Sequence, residues 1–280
     1  MSKELQRPGS IPGLRLASLA TFLLLPTLTG ATFRTKNFVV EAPTAATARA
    51  VGERAERERI AIARAWLGKE LPAWSKPCPI RVKVTQGNAG GVTSFGFENG
   101  RVSDQEMSVE GRLDRILVSA LPHEITHTVF AAYFGEPMPR WADEGASLLS
   151  EDAFELHRHD LIIRQVLGRR ADLPLGRLFQ MTEYPSDLMA FYGQGYSISK
   201  FLIEMGGRPR FLAFVRDGGR KGWDDATRVH YGLTNVRELD RAWHAWHTVL
   251  ARGDRTTVGR DADGAVVRAQ SEDEEPVARR

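Results

Sequence analysis

The sequence has one cysteine, Cys78, among 280 residues. A lone cysteine cannot pair within the chain, which excludes a small scaffold held together by disulfides. The sequence also has no Gly-rich phosphate-binding loop, no serine hydrolase elbow and no internal repeat. Hydrophobic residues nevertheless make up 42% of the chain. This fraction is sufficient for a core and excludes disorder throughout.

Long apolar runs are scarce, and one of them lies near the N-terminus. Basic residues precede the uncharged run LASLATFLLLPTL, which is shorter than the roughly 20 residues that span a bilayer. Small residues follow at Thr29 and Ala31, as they do before the cleavage site of a secretory signal peptide. We therefore expect residues 1–31 to be a signal peptide and the mature protein to be secreted or periplasmic, without a stable membrane span. An uncleaved anchor or a buried strand is the alternative.

The chain has almost no excess of one charge. It contains 38 Lys and Arg residues and 35 Asp and Glu residues, which gives a net charge of +3. Cleavage after residue 31 would remove Lys3, Arg7, Arg15 and Glu4 and leave a net charge of +1. Basic residues do not cluster among aromatic residues, as they do on surfaces that bind nucleic acids. We therefore expect no nucleic-acid partner.

The C-terminal segment differs in composition from the rest of the chain. Residues 252–280 contain no aromatic residue, show no apolar periodicity and are rich in Arg, Asp and Glu. This composition predicts a disordered charged tail. A charged interaction segment is the alternative.

The folded part is predicted to occupy residues 32–251 and to begin with strands. Alternating apolar residues predict strands over residues 33–41, 80–85, 92–97 and 101–109. Asn99 and Gly100 lie between the last two strands and predict a hairpin. A helix is predicted over residues 44–67, where apolar residues recur at helical spacing opposite a face rich in Glu and Arg.

The second half of the folded part has a helical pattern. A helix is predicted over residues 113–134, with Ser119 able to cap and Pro122 in a first turn. Further helices are predicted over residues 144–155, 157–167, 189–205, 208–217 and 236–250. This order predicts an α+β fold, in which a lobe with a small mixed sheet extends to about residue 111 and a helical lobe occupies residues 140–251.

The helix predicted over residues 113–134 contains His123-Glu124-Ile125-Thr126-His127. Histidines four residues apart lie on one helical face about one turn apart, so both imidazoles can reach a single tetrahedral Zn²⁺. Glu124, next to the first histidine, suits a general base that takes a proton from an attacking water. Two histidines without a metal, on a partly buried helix, are the alternative.

A catalytic zinc site needs a third protein ligand and an open fourth position. A histidine six residues after His127 would indicate a metzincin, but Tyr133 occupies that position. Another well-known third ligand is a glutamate on the next helix. Sixteen residues separate His127 from Glu144, which is enough to end one helix, turn and begin another alongside it. We therefore predict that His123, His127 and Glu144 bind one Zn²⁺. A carboxylate that merely favours a helix N-terminus is the alternative for Glu144.

The runs HEITH, DEGASLLSE and FYGQGYSISKFL resemble the gluzincin zinc metallopeptidases, in particular the peptidase-MA-like group and, more distantly, the aminopeptidase N type. The resemblance implies a zincin-like two-lobe catalytic domain that hydrolyses peptide bonds. It implies that Glu151 orients a ligand histidine, from two helical turns beyond Glu144 on the same face. It also implies that Tyr192 stabilises an oxyanion, with Tyr196 as the substitute if the register differs by one turn. A solvent-exposed glutamate and a core tyrosine are the alternatives.

The sequence departs from the aminopeptidases in the predicted hairpin. Those enzymes carry a Gly-x-Met-Glu-Asn stretch that anchors the free amine of the substrate, whereas this chain has Gly96-Phe97-Glu98-Asn99. We therefore expect an endopeptidase rather than an aminopeptidase, with a peptide or protein substrate paired to an edge strand. A non-catalytic, zinc-stabilised binding protein with a degenerate peptidase fold is the rival hypothesis, and the intact Glu124 argues against it.

Overall fold

The computed structural model describes residues 30–251, 258–260 and 266–268. Five strands form one mixed sheet: β1 (Ala31–Arg34), β2 (Phe38–Ala42), β3 (Cys78–Val84), β4 (Gly90–Glu98) and β5 (Arg101–Gly111). Their order is β1-β2-β3-β5-β4, with β3 parallel to both of its neighbours and the two outer pairs antiparallel. The strand β4 is therefore an edge strand of the sheet.

Nine helices occur in the described part of the chain: α1 (Ala45–Leu67), α2 (Leu113–Arg115), α3 (Leu121–Phe134), α4 (Arg140–Leu148), α5 (Ala153–Gly168), α6 (Leu175–Leu178), α7 (Leu188–Lys221), α8 (Trp223–Tyr231) and α9 (Val236–Ala251). A π-helical segment, Ile116–Ala120, joins α2 to α3. The protein is therefore a mixed α+β protein with a small mixed sheet, as the sequence predicts.

The strand predicted over residues 33–41 is wrong as a single element, because the chain reverses within it. Residues 31–34 and 38–42 form β1 and β2, which pair antiparallel. Thr35 closes the reversal, since its N–H donates to the Phe38 carbonyl at 2.9 Å and its hydroxyl oxygen accepts from Phe38 N at 3.0 Å. The other strand predictions agree with β3, β4 and β5. The predicted hairpin turn is also confirmed, with positive φ at Asn99 and Gly100.

The helix α1 covers one face of the sheet together with α3. Thr44 caps α1 by accepting from Thr47 N at 3.1 Å, and Gly68 ends the helix with a φ of 70°. On its buried face, Trp66 meets Phe130 of α3 edge to face, with ring centroids 4.8 Å apart. The opposite face of the sheet is solvated and carries ion pairs such as Arg81–Glu106. The site therefore lies on the covered side of the sheet.

Several helix boundaries differ from the sequence predictions, and α6 and α8 were not predicted. Ser119 is not a cap, because it lies inside the π-helical segment that runs without interruption into α3. The helix predicted over residues 144–155 is wrong, since α4 ends at Leu148 and α5 begins at Ala153. Asp152 explains this break, because its carboxylate caps α5 by accepting from Glu155 N at 3.3 Å and pairs with Arg115 at 2.6 Å.

The helices predicted over residues 189–205 and 208–217 belong to α7, whose backbone breaks at Gly207 with a φ of 77°. Glycine tolerates this left-handed conformation, and Pro209 follows in the next turn, so the two halves differ in direction. The first half packs closely on α4, where Gly145 meets the backbone of Gly195. A side chain at either glycine would push these helices apart.

The two predicted terminal segments fall mostly outside the described residues. Only Gly30 and Ala31 of the region around the predicted signal peptide cleavage site are described, and Ala31 begins β1. Within the predicted tail, the short strands Val258–Arg260 and Val266–Arg268 pair antiparallel. None of the helices in the described ranges is both long enough and apolar enough to cross a membrane.

Candidate metal centre

A large cavity opens between the edge strand β4 and the helices α3, α4 and α7, with a volume of about 1290 Å³. Its lining includes His123, Glu124, His127, Glu144 and Tyr192. These are the residues predicted to bind zinc or to act in catalysis. The fold therefore gathers the motif of α3, the acid of α4 and the tyrosine of α7 around one space.

Three side chains converge in this cavity with the spacing of a metal site. His123 and His127 lie one turn apart on α3, and Glu144 projects from α4. Glu144 Oε2 lies 3.4 Å from His123 Nε2 and 3.8 Å from His127 Nε2, and the three potential ligand atoms all lie within 4.8 Å of one another. A tetrahedral Zn²⁺ with bonds of about 2.0–2.1 Å needs ligand atoms about 3.4 Å apart. The cluster could therefore hold a metal ion with small side-chain adjustments.

Each histidine is oriented by a carboxylate on its other ring nitrogen. His123 Nδ1 lies 2.9 Å from Glu151 Oε1, and His127 Nδ1 lies 2.8 Å from Asp143 Oδ1. An imidazole that donates from Nδ1 presents a bare Nε2, which is the form that binds a metal. Both Nε2 atoms face Glu144, so the carboxylates fix the rings in the orientation that a shared ion requires.

Glu151 reaches His123 by a route that the sequence did not predict. The expectation that it lies two helical turns beyond Glu144 on the same face is wrong, because Glu151 lies in the turn between α4 and α5. Its second oxygen accepts from Ser119 Oγ at 2.9 Å, so the π-helical segment holds the carboxylate in place. The predicted contact with a ligand histidine is nevertheless present.

The carboxylates around the two histidines favour positive charge in the cluster. Burial opposes a charged imidazole, but hydrogen bonds with Glu144 and Glu151 outweigh it and raise the pKa of His123 to about 10. Burial also opposes charge on Glu144, yet its hydrogen bond with His123 and the charges of both histidines lower its pKa to about 2. The charge of Asp143 overcomes burial and raises the pKa of His127. A metal ion bound to these side chains would therefore take the place of protons that the histidines carry without it.

Glu124 lies against the edge strand rather than among the potential ligands. Its Oε2 accepts from Thr93 Oγ1 at 2.6 Å. Gly91 makes the close approach possible, because a Cβ there would lie 2.7 Å from Glu124 Cγ and 2.8 Å from Oε1. The strand β4 therefore fixes this carboxylate on the cavity wall, beside the three potential metal ligands.

The structure distinguishes between the two candidate tyrosines. Tyr192 lines the cavity, whereas Tyr196 is buried in the core beside His159, with ring centroids 5.6 Å apart. Burial, followed by the negative charges of Glu144 and Glu124, raises the pKa of Tyr192 to about 12. Its phenol therefore stays protonated at neutral pH and can donate a hydrogen bond. Of the two candidates, Tyr192 and not Tyr196 is therefore in a position to reach a substrate in the cavity.

Three residues of the site were missed at the sequence level: Asp143, Thr93 and Tyr184. Tyr184 lies between α6 and α7, and its hydroxyl donates to Glu144 Oε1 at 2.6 Å. Only Asp143 had a local signal, because it stands next to Glu144 in the sequence. The contacts of the other two depend on the tertiary fold.

The turn between α3 and α4 brings Glu144 to the histidines. Gly135 ends α3 with a φ of 66°, and a Cβ at this position would overlap the backbone of Gly100 at the tip of the hairpin. Pro139 then precedes α4, whose first residue is Arg140. This turn therefore also brings the hairpin against the end of α3.

A second group of residues near the cavity, Glu151, Glu155 and His159, could also approach a cation. Both oxygens of Glu155 are already paired, with Arg115 at 3.1 Å and with Arg158 at 3.1 Å. Two guanidinium groups oppose a second cation at this position. We therefore interpret the group as an ion-pair network that supports the turn around Glu151.

No protein-family model matches this chain, and no curated protein matches it. The geometry of the cavity therefore carries the functional interpretation. That geometry consists of three converging potential ligands, two carboxylates that orient the histidines, and one glutamate held apart from the cluster.

Proposed function

We propose that the protein is a secreted, zinc-dependent peptidase of the gluzincin class, with the sheet and the helices arranged as the two lobes of a zincin-like domain. His123, His127 and Glu144 would hold one Zn²⁺. The observation that carries this proposal is the orientation of both imidazoles toward one carboxylate oxygen, at 3.4 and 3.8 Å. A donor set of two imidazoles and one carboxylate suits zinc and is the set of several zinc peptidases.

Glu124 would act as the general base. When bound, zinc lowers the pKa of water and polarises a carbonyl group. Glu124 takes the proton of the attacking water and later delivers it to the leaving amine. Thr93 supports this role because its hydroxyl donates to Glu124 Oε2 at 2.6 Å, so that Oε1 would be the oxygen that accepts the proton. The proposed general base is therefore held against β4, the strand beside which the substrate would lie.

Tyr192 would stabilise the negative charge that develops on the carbonyl oxygen of the substrate. The raised pKa keeps its phenol a hydrogen-bond donor, and its position in the cavity wall places it in the same space as Glu124. A preorganised donor of this kind is worth more in a site that excludes water.

The substrate would bind as an extended segment along β4. This strand is the edge of the sheet, and its residues Gly90 to Thr93 line the cavity. Its free backbone groups can pair with a peptide by strand addition. Glu98 belongs to the stretch that was compared with the amine-anchoring stretch of the aminopeptidases. It is exposed at the end of β4 and is not among the cavity-lining residues. We therefore propose an endopeptidase rather than an aminopeptidase.

Product analysis of blocked peptides tests this proposal. The protein is incubated with zinc and with peptides that are acetylated at the N-terminus, and the products are identified by mass spectrometry. We expect internal cleavage that a chelator abolishes and that Tyr192→Phe slows. Cleavage of unblocked peptides alone, one residue at a time, would contradict the endopeptidase mode. A zinc-loaded protein that cleaves no peptide would favour the non-catalytic binding protein.

A further inference from the structure

We infer that Tyr184 is a positioning residue for Glu144, because its hydroxyl holds one carboxylate oxygen and leaves the other to face the two histidines. The inference rests on the metal binding in the proposed function and does not depend on peptide hydrolysis. Tyr184 lies outside the HEITH motif and outside the FYGQGYSISKFL run.

The two oxygens of Glu144 have different surroundings. Oε1 accepts from the Tyr184 hydroxyl at 2.6 Å, whereas Oε2 is the atom that lies 3.4 Å and 3.8 Å from the two histidine nitrogens. Only 13% of the Glu144 side chain is exposed, and a hydrogen bond to a charged acceptor is stronger than one between neutral groups. The Tyr184 hydroxyl therefore gives the two otherwise equivalent oxygens of Glu144 different surroundings.

Tyr184 is itself attached to the helix that carries Glu144. The guanidinium of Arg140 lies over the Tyr184 ring, 4.4 Å from its centroid, and Arg140 Nε donates to the Thr182 carbonyl at 2.7 Å. Arg140 and Glu144 are four residues apart on α4 and lie on the same face. Phe191 meets the Tyr184 ring edge to face, with ring centroids 5.8 Å apart. The segment between α6 and α7 is thus clamped to α4 beside the cluster.

This arrangement determines how Glu144 can bind an ion. A carboxylate can bind a metal through one oxygen or through both, and the second oxygen would occupy space that substrate and water need. Tyr184 ties Oε1 away from the histidines, so binding through Oε2 alone is favoured. Removal of the hydroxyl would allow Glu144 to rotate, which weakens the oriented ligand set.

A zinc competition assay with a chromophoric chelator tests this role. Tyr184→Phe keeps the ring beneath Arg140 and removes only the hydroxyl. We expect this variant to bind zinc about 10–100-fold more weakly than the wild type, which is the usual cost of losing a partner of a metal ligand. Tyr133→Phe is the matched control, because the Arg216 guanidinium lies over its ring at 4.4 Å and Tyr133 is not among the cavity-lining residues. We expect the control to keep the wild-type affinity.

The absorption spectrum of the Co²⁺-substituted protein distinguishes positioning from general support. We expect the visible bands of Tyr184→Phe to shift as Glu144 changes its mode of binding, and those of Tyr133→Phe to stay unchanged. We also expect the metal-free variants to unfold at the wild-type temperature, because the Tyr184 side chain is 41% exposed. Wild-type zinc affinity and an unchanged spectrum in Tyr184→Phe would overturn the inference, whatever the peptidase assay shows.

Discussion

Glu151 provides the sharpest test of how the fold orients the proposed zinc ligands. It binds no metal in our proposal, and it acts through His123 Nδ1 at 2.9 Å. Glu151→Gln keeps the size of the side chain and its ability to hydrogen bond, but it removes the negative charge. Glu151→Ala removes the partner of the imidazole entirely. Comparison of the two variants therefore separates charge from hydrogen bonding.

The size of the effect follows from the surroundings of Glu151. Its side chain is only 9% exposed, and it accepts from both His123 and Ser119, so solvent cannot easily replace it. Partners of metal-bound histidines are usually worth 10–100-fold in metal affinity, which corresponds to about 1.4–2.7 kcal/mol. We expect Glu151→Gln near the lower end of this range, because the amide oxygen can still accept from Nδ1. We expect Glu151→Ala near the upper end.

Zinc affinity is measured by competition with a chelator at constant pH. Glu204→Gln serves as the control, since Glu204 also accepts a side-chain hydrogen bond, from Trp246 Nε1 at 3.0 Å, and does not line the cavity. We expect the control to keep the wild-type zinc affinity. Equal affinity in the wild type and Glu151→Ala would refute the claim that this carboxylate orients His123.

Three other perturbations have expected outcomes. Gly91→Ala would displace Glu124 and slow hydrolysis about 100-fold in a steady-state assay, with zinc retained. Gly145→Ala would collide with the Gly195 backbone and lower the free energy of unfolding in urea by about 1–3 kcal/mol. Burial lowers the pKa of His247 to about 4, so as the pH falls below about 6.5 the unfolded chain gains a proton that the folded chain does not. The folded protein should therefore lose stability as the pH falls from about 6.5 to about 4. We expect a loss on the order of 1 kcal/mol after allowance for the partial exposure of His247.

Each of these expectations has a matched control. Gly176→Ala should leave hydrolysis unchanged and Gly168→Ala should leave stability within about 0.5 kcal/mol, because a Cβ at either position meets nothing within 4 Å. His247→Gln should reduce the loss of stability between pH 6.5 and pH 4. Full activity in Gly91→Ala, wild-type stability in Gly145→Ala, or an identical pH dependence with and without His247 would contradict the corresponding explanation.

Local sequence patterns predicted the elements whose signals lie close together in the chain. The apolar spacing predicts α1, and Asn99-Gly100 predicts the hairpin. The spacing of His123 and His127 places both imidazoles on one face of a helix. These features depend on neighbouring residues, so a single sequence is sufficient to recognise them.

The parts that could not be predicted depend on contacts between distant residues. Asp152, which caps α5, is also held by Arg115, 37 residues away. Thr93 reaches Glu124 across 31 residues, and Tyr184 reaches Glu144 across 40. No periodicity encodes such pairs. Glu151 shows the same effect, because its contact was expected from a continuous helix and is in fact made from a turn.

Glu124 is proposed to act as the general base at the zinc site without being a zinc ligand. The most direct measurement combines zinc content and hydrolysis rate in one preparation of Glu124→Gln with a denatured protein as substrate. We predict a full equivalent of zinc and a rate about 10²–10⁴-fold below that of the wild type. A zinc-loaded Glu124→Gln protein that cleaves at the wild-type rate would contradict the account.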